Sequence, residues 1–356
     1  MDPSSQATLQ ELRERVNAAH RNRAPLRLRG AGTKDFYAES PSAGELLDLR
    51  PYRGIVDYEP SELVITARCG TPLSVIDTLL ADRGQFLAFE PPAFGGEPTI
   101  GGVIAAGLSG PRRPYAGAAR DFVLGATLLS AEGEILRFGG QVMKNVAGFD
   151  VSRLLCGSLG ILGVITEVSL KVLPRPRAEE TLRFEMSAAD AVTTFNRWSG
   201  QPLPLSAAAW CAGVAWVRLS GATAAVRAAL ERLGGERVDS TEATRWWNAL
   251  RHHDHPIFSS NMLWRLSVPD TTPPLALPGE PLIDWGGALR WYAADHPDIR
   301  NVATAAGGTA VLWRGPAPDG TRFHPLQPAV ATVHRRLKDR FDPHGIFNPG
   351  RLIAGL

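Results

Sequence analysis

The sequence predicts an α+β chain built in two parts, and three observations predict it. Glycine-dense segments alternate with short β-like runs up to Pro174. Pro174-Arg175-Pro176 then interrupts the pattern in the manner of a domain linker. Beyond it, amphipathic helices alternate with strands, as in an antiparallel sheet covered by helices. The length of 356 residues allows two or three domains with ample core. With 44% hydrophobic and 21% charged residues, global disorder is excluded.

Taken in order, Leu9, Leu12, Val16 and Ala19 share one face of an amphipathic helix. Residues 25–29 read as a short strand that ends in Gly30-Ala31-Gly32-Thr33. Residues 63–68 read as a second strand, after which Thr71 is placed to cap a helix with Pro72 in its first turn. Leu73, Ile76, Leu79 and Leu80 give that helix its core face, and Gly84 fits its end. Residues 122–130 and 134–138 form a hairpin around Ala131-Glu132-Gly133. Residues 164–172 alternate, with Val168, Leu170 and Val172 on one face and Glu167, Ser169 and Lys171 on the other.

After the linker, strands are expected at 181–185, 207–219, 262–268, 282–288 and 309–313, and helices at 188–198, 222–233 and 241–251. Residues 271–281, with four prolines, read as a surface loop. The last helix, 329–341, is expected to bury Val330, Val333, Leu337 and Phe341. Arg335, Arg336, Lys338 and Arg340 fall in its later turns, where the helix dipole favours cations.

Composition removes several function classes. Lys plus Arg number 38 against 36 Asp plus Glu, a net charge of +2 that offers no broad basic field for nucleic acid. No run approaches the ~20 apolar residues of a membrane span. The most apolar stretch, residues 154–165, is broken by Gly157, Ser158 and Gly160. No signal-peptide pattern opens the chain. Cys69, Cys156 and Cys211 are scattered and odd in number, which gives neither a disulfide framework nor a CxxC pair. An iron–sulfur cluster needs about four thiolates, more than this chain has. The expectation is a reduced, cytoplasmic protein.

Three glycine-rich segments are candidates for chemistry. Arg29-Gly-Ala-Gly-Thr33 follows a strand, so its N–H groups can turn toward an anion such as pyrophosphate. It fails the GxGxxG fingerprint because Asp35 holds the third position, and by itself it reads better as an ordinary glycine turn. Thr99-Ile-Gly-Gly-Val-Ile-Ala-Ala-Gly107, preceded by Glu90-Pro91-Pro92, leaves room for a flat ligand or for a close helix–sheet crossing. The third segment holds Arg120-Asp121, then Lys144-Asn-Val-Ala-Gly-Phe-Asp150, then Gly157-Ser-Leu-Gly160. Three such segments in order, separated by regular elements, point to one shared site.

These segments resemble the FAD-binding domain of the vanillyl-alcohol oxidase / p-cresol methylhydroxylase superfamily, and within it the FAD-binding subunits of bacterial glycolate oxidases. The resemblance is carried by Arg29–Tyr37, Thr99–Gly117, Arg120–Gly125, Gly139–Asp150, Gly157–Gly160, Asp284-Trp-Gly-Gly287 and the tail Phe341–Gly350. It covers nearly the whole chain and weakens between Pro174 and the tail. It implies a two-part PCMH-type FAD-binding domain over 1–174, an α+β cap with an antiparallel sheet over 175–328, and a C-terminal segment, 329–356, returning to the FAD domain. It also implies that Arg29, Gly30, Ala31, Gly32 and Thr33 hold pyrophosphate, and that Thr99, Gly101, Gly102 and Gly107 line pyrophosphate and flavin. Gly160, Val164 and Ile165 would border the adenosine side, and Asn348 would approach the flavin. Pro92, Arg120 and Asp121 complete the cofactor set.

The FAD is expected to be non-covalent, since no histidine lies between Arg21 and Arg251 to carry a linkage. Related 2-hydroxy-acid oxidising flavoproteins bind a metal through closely spaced histidines in the second domain. Here Ala305-Ala-Gly-Gly-Thr309 stands where such a histidine is sought, and no metal site is expected. His252-His-Asp-His255 reads better as a solvated loop than as a metal site, and Trp246-Trp247 as core. Arg265, Arg290 and Arg314 are candidate carboxylate clamps or strand-surface charges. No catalytic base is assigned. The implied partners are a sister FAD-linked oxidase subunit, an iron–sulfur subunit and glycolate or another small 2-hydroxy acid. Two readings stay open: oxidation at this chain's own FAD, or an FAD that relays electrons or is structural while a sister subunit does the chemistry. The cytoplasmic location leaves room for attachment to a membrane through the complex.

Overall fold

The strand Val164–Lys171 organises the first half of the chain. In the computed structural model, which describes residues 3–39, 44–140, 150–317 and 320–353, it is central in an antiparallel sheet ordered 55–59, 64–68, 164–171, 123–129, 135–139. Its alternation is present, but both faces are covered. Ile165, Val168 and Leu170 pack with the helices Leu73–Ala81 and Ile100–Ala106. Val164 packs on the other side against Leu12, Val16, Leu26 and Leu47, from the helix Pro3–Asn22 and the small parallel pair Leu26–Arg29 and Glu45–Asp48. The buried hydroxyls are satisfied across strands: Thr66 Oγ1 and Ser169 Oγ lie 2.8 Å apart, and Thr166 Oγ1 donates to Thr127 O.

The second sheet has eight antiparallel strands, ordered 236–237, 178–185, 214–221, 205–211, 282–284, 289–292, 263–267, 309–314. The helices Ala188–Ser199, Thr223–Leu233 and Ser240–His252 accompany it. The chain is therefore α+β: a five-stranded antiparallel sheet with its helices, followed by an α+β part built on an eight-stranded antiparallel sheet. Among the described residues no helix is long and apolar enough to cross a membrane.

Several local expectations are corrected. Thr71 does not cap the helix at Leu73. Pro72 takes the cap position, and Thr71 Oγ1 instead accepts from Gly54 N and donates to Arg68 O. The expected strand 207–219 is a hairpin of Leu205–Cys211 and Val214–Gly221, turned by Ala212 (φ 50°) and Gly213 (φ 80°). The strand expected over 282–288 stops at Asp284, because Trp285, Gly286 and Gly287 all take positive φ before Leu289–Tyr292 resumes. In the helix Pro328–Phe341, Val330 and Val333 face outward at 42% and 55% exposure, while Lys338 is buried. The reason is electrostatic. Lys338 Nζ donates to Asp342 Oδ2 at 2.6 Å and to Ile161 O and Phe347 O at 2.8 Å, and Asp342 accepts from the backbone of Ile346 and Phe347. An ionic anchor, together with Phe341 packed half-buried on the core, seats this helix.

A buried ionic cluster joins the two sheets. Glu90 accepts from Arg112 N at 2.8 Å, Arg112 Nε at 3.3 Å and Arg218 Nη2 at 2.8 Å, and Arg112 Nη2 reaches Glu179 at 2.6 Å. Burial alone would raise the Glu90 pKa, but Arg218 and Arg112 together hold it below the ordinary value.

Candidate cofactor site

The strand Leu26–Arg29 ends at the rim of a groove between the Ile100–Ala106 helix, the loop around Gly160 and the C-terminal tail. Its contiguous hollows share Leu28, Arg29 and Asn348. Gly30 must be glycine here: a Cβ would fall 2.2 Å from Thr99 Oγ1. Gly32 adopts φ +76°, which bends the chain so that residues 31–34 border the hollow. Among the described residues, the N–H groups of Ala31, Gly32, Thr33 and Lys34 have no hydrogen-bond acceptor. A row of unpaired backbone donors beside a cleft suits a diphosphate.

Thr99 caps the opposite helix, its hydroxyl accepting from Gly102 N at 3.4 Å. Gly101 sits so close to Cys69 that a Cβ would lie 2.6 Å from that residue's Cβ. Gly160, at φ +75°, and Ile165 close the third wall. Asn348 completes the fourth: its Oδ1 accepts from Leu28 N at 2.8 Å and its Nδ2 donates to Leu159 O at 2.7 Å. Lined by small residues, with backbone donors along one edge that have no acceptor among the described residues, the groove fits a dinucleotide such as FAD.

Of the residues named from the sequence, Arg29, Gly30, Ala31, Gly32, Thr33, Thr99, Gly101, Gly102, Gly160, Ile165 and Asn348 line this groove. Arg29 is also paired with Asp35 at 2.7 Å. The others lie elsewhere. Pro92 borders a separate cavity. Gly107 ends the helix in the left-handed region, with Gly157 directly behind it. Asp121 Oδ2 accepts from Ala118 N beside an exposed Arg120. Val164 points into the core. Most of the Gly139–Asp150 motif, residues 141–149, lies outside the described residues.

Sequence reasoning missed Lys34 and Arg351, both of which line the groove. Lys34 Nζ lies 3.2 Å from Thr33 Oγ1 and 5.5 Å from the Phe94 ring centre, and burial lowers its pKa to about 8. Its signal was its place directly after the glycine turn. Arg351 donates to the carbonyls of Glu39, Lys34 and Asp35, fastening the tail to that turn.

The 252–255 segment is not a solvated loop. His253 stacks on Phe258 with ring centres 4.0 Å apart and meets Trp291 edge-on at 4.9 Å, while His252 Nδ1 accepts from Ala93 N. Burial holds both histidines below the ordinary imidazole pKa. Among the described residues no three His, Cys, Asp or Glu side chains are grouped to hold a metal ion. Trp247 donates to Thr181 Oγ1, and Trp246 stacks on Trp216, as core residues do. Arg290 is spent on Gly287 O and Thr272 O, Arg314 is exposed, and Arg265 borders the separate cavity.

The chain is similar to known proteins along its length. The model of an FAD binding domain matches residues 6–139. The chain is 49% identical over 350 residues to glycolate oxidase subunit GlcE of Escherichia coli (strain K12), covering 98% of each. It is 34% identical over 163 residues to glycolate oxidase subunit GlcD of Bacillus subtilis (strain 168), a match covering 45% of this chain and 34% of that one. A solved alkyldihydroxyacetonephosphate synthase shares the fold, with TM-score 0.65 at 15% identity over 96% of this chain and 74% of that one. The cofactor is FAD, and the chain belongs to the family of the glycolate oxidase subunit GlcE.

Proposed function

We propose that this chain is the FAD-holding subunit of a glycolate oxidase or dehydrogenase complex. In this reading it supports oxidation of glycolate or another small 2-hydroxy acid, beside a sister FAD-linked subunit and an iron–sulfur subunit that takes the electrons. The observation that carries it is the row of unpaired N–H donors at residues 31–34, on the rim of a glycine-walled groove. The resemblance to GlcE supplies the reaction class.

Bound FAD supplies two-electron acceptance and stepwise electron release. The chain's own residues bind and orient it. The 29–33 turn receives the pyrophosphate, with Lys34 adding positive charge. Thr99, Gly101 and Gly102 let the flavin approach the helix backbone. Gly160 and Ile165 border the adenosine side, and Asn348 holds the walls together. The FAD is non-covalent, and the chain is organised as 1–174, 175–328 and 329–356.

A second reading is favoured by one observation. Among the described residues, the ionisable ones lining the groove are Arg27, Arg29, Lys34, Asp35, Arg351 and Cys69, with no histidine among them. The FAD then relays electrons for a sister subunit that performs the oxidation. Anaerobic addition of glycolate to the purified chain, followed in the visible spectrum, separates the two. Bleaching of the isolated chain supports oxidation here. Bleaching only when the partner subunits are present supports the relay. Protein that stays colourless with added FAD and partners overturns both.

A further inference from the structure

The helix Pro328–Phe341 is seated by its last turn and largely bare before it. Lys338, bonded to Asp342, and Phe341, half-buried on the core of the five-stranded sheet, hold its C-terminal end. Upstream, Val330, Val333 and Leu337 recur at helical spacing, and Leu326 stands just before the cap residue Gln327. Among the described residues none of these four belongs to a hydrophobic cluster. Leu326, Val330 and Val333 are also three of the seven large apolar side chains left exposed there. A 14-residue helix is marginal by itself and takes its stability from a covered apolar face, which most of this helix lacks.

Charge says what the cover must be. Arg336 and Arg340 lie beside Val333 and Leu337 along one edge of the stripe, and Arg335 lies on the other side. All three are exposed, and among the described residues none has a carboxylate within 4.0 Å, whereas the buried Lys338 has Asp342. A second copy of the chain on this face would set arginine against arginine, with Asp339 the one exposed acid of the helix to offset them. A lipid surface calls for tryptophan or phenylalanine on the apolar side, and the bare stretch offers two valines and two leucines. The complement is a protein surface with an apolar slot rimmed by Asp and Glu. The relative that matches 98% of this chain is itself named as a subunit.

We propose that this face docks a sister subunit of the oxidase complex, in an apolar slot with an acidic rim. The inference rests on the proposed place of this chain in such a complex and names the surface that holds it there. The seat of the helix ties docking to the cofactor. Lys338 Nζ donates to Ile161 O and Phe347 O, and the residues next to these, Gly160 and Asn348, line the FAD groove. A partner that fixes the helix therefore steadies two walls of the groove, and by linkage bound FAD tightens the partner's hold by the same factor.

The FAD-loaded chain is mixed with the purified sister FAD-linked and iron–sulfur subunits, and association is followed by sedimentation. A photocrosslinking residue placed at position 333 is expected to join a sister subunit. Val330→Asp/Val333→Asp is expected to weaken association about 100-fold, and Arg336→Glu/Arg340→Glu about 10-fold. Both variants, when alone, should keep the parental urea midpoint and flavin affinity. Flavin release from the parent is expected to slow about fivefold or more when the subunits are added, and release from Val330→Asp/Val333→Asp to stay as it is. A folded valine double variant that associates like the parent overturns the proposal. So does a crosslink confined to a second copy of this chain, or one that goes only to lipid when vesicles of phosphatidylcholine and phosphatidylserine are present. The crosslink is read on a chain with one exposed side chain changed, so it decides the matter even if an aspartate variant does not fold. A complex that forms without this face defeats the inference alone. Sister subunits that never associate with the parent defeat the complex, and this face with it.

Discussion

The side-chain amide of Asn348 donates to the carbonyl oxygen of Leu159 at 2.7 Å, tying the tail to a loop 189 positions earlier in the chain. Its Oδ1 accepts from Leu28 N on the opposite side, so one side chain spans two walls of the groove. Asn348→Ala leaves a partly buried N–H and C=O without partners. It is expected to cost about 1–3 kcal/mol in thermal or urea unfolding and to lower the flavin-to-protein ratio after desalting. Asn348→Asp keeps the acceptor for Leu28 and loses the donor for Leu159, and should fall between the two. Unchanged flavin retention in Asn348→Ala would count against a groove closed by the tail.

Gly30→Ala is expected to give folded, colourless protein, with FAD affinity reduced about tenfold or more. The new methyl would lie 2.2 Å from Thr99 Oγ1. Because that hydroxyl is the nearest obstruction, Gly30→Ala/Thr99→Ala should recover part of the affinity. Flavin fluorescence titration of both variants tests this, and a double variant no better than the single one refutes the steric account.

Lys34 makes both stability and FAD binding pH-dependent. Burial lowers its folded pKa to about 8 from the ordinary 10.5. Between those values the unfolded chain holds the proton and the folded chain has released it, so stability from this group rises with pH across that window. Below pH 8 the cost of burying the ammonium is fully present. Lys34→Met in the FAD-free protein should therefore be stabilising at pH 7, with the gain shrinking toward pH 10.5. With FAD the sign reverses: the charged lysine favours the diphosphate, so parental affinity should fall from pH 7 to pH 9 while that of Lys34→Met stays flat. Parallel slopes for the two proteins would remove Lys34 from the binding account.

Breaking the Glu90 cluster should be expensive. Glu90→Ala leaves the buried Arg112 and Arg218 without their shared carboxylate, and a loss of about 3–5 kcal/mol is expected in urea denaturation. Arg218→Met combined with Glu90→Ala should cost less than the sum of the singles, by about 1–3 kcal/mol. Strict additivity would show that the two side chains act independently.

The fold class was legible because its evidence is local. Alternation over 164–172 marks a strand, and the change of pattern after Pro174 separates two kinds of sheet. The errors come from tertiary causes. Ala212 offers no turn signal, so the hairpin at 212–213 read as one long strand. Val330 and Val333 looked like a core stripe, because the contacts that orient their helix run from Lys338 to Ile161, 177 positions away. His253 looked solvated because Phe258, Trp291 and Trp313, which surround it, come from later elements. In the groove, glycine clusters drew attention to Gly30, Gly101 and Gly160, and Lys34 was marked only by following the glycine turn, whereas Arg351 belongs to no pattern and is brought there by the fold.

The pairing of Leu26 with Phe347, and of Leu28 with Asn348, has a consequence for biosynthesis. The first edge of the groove leaves the ribosome with its counterpart 320 codons away. Throughout that interval the nascent polypeptide exposes an incomplete cleft, so flavin loading must follow translation of the tail. A message cut short before Asn348 should yield apoprotein, however much FAD the cell contains.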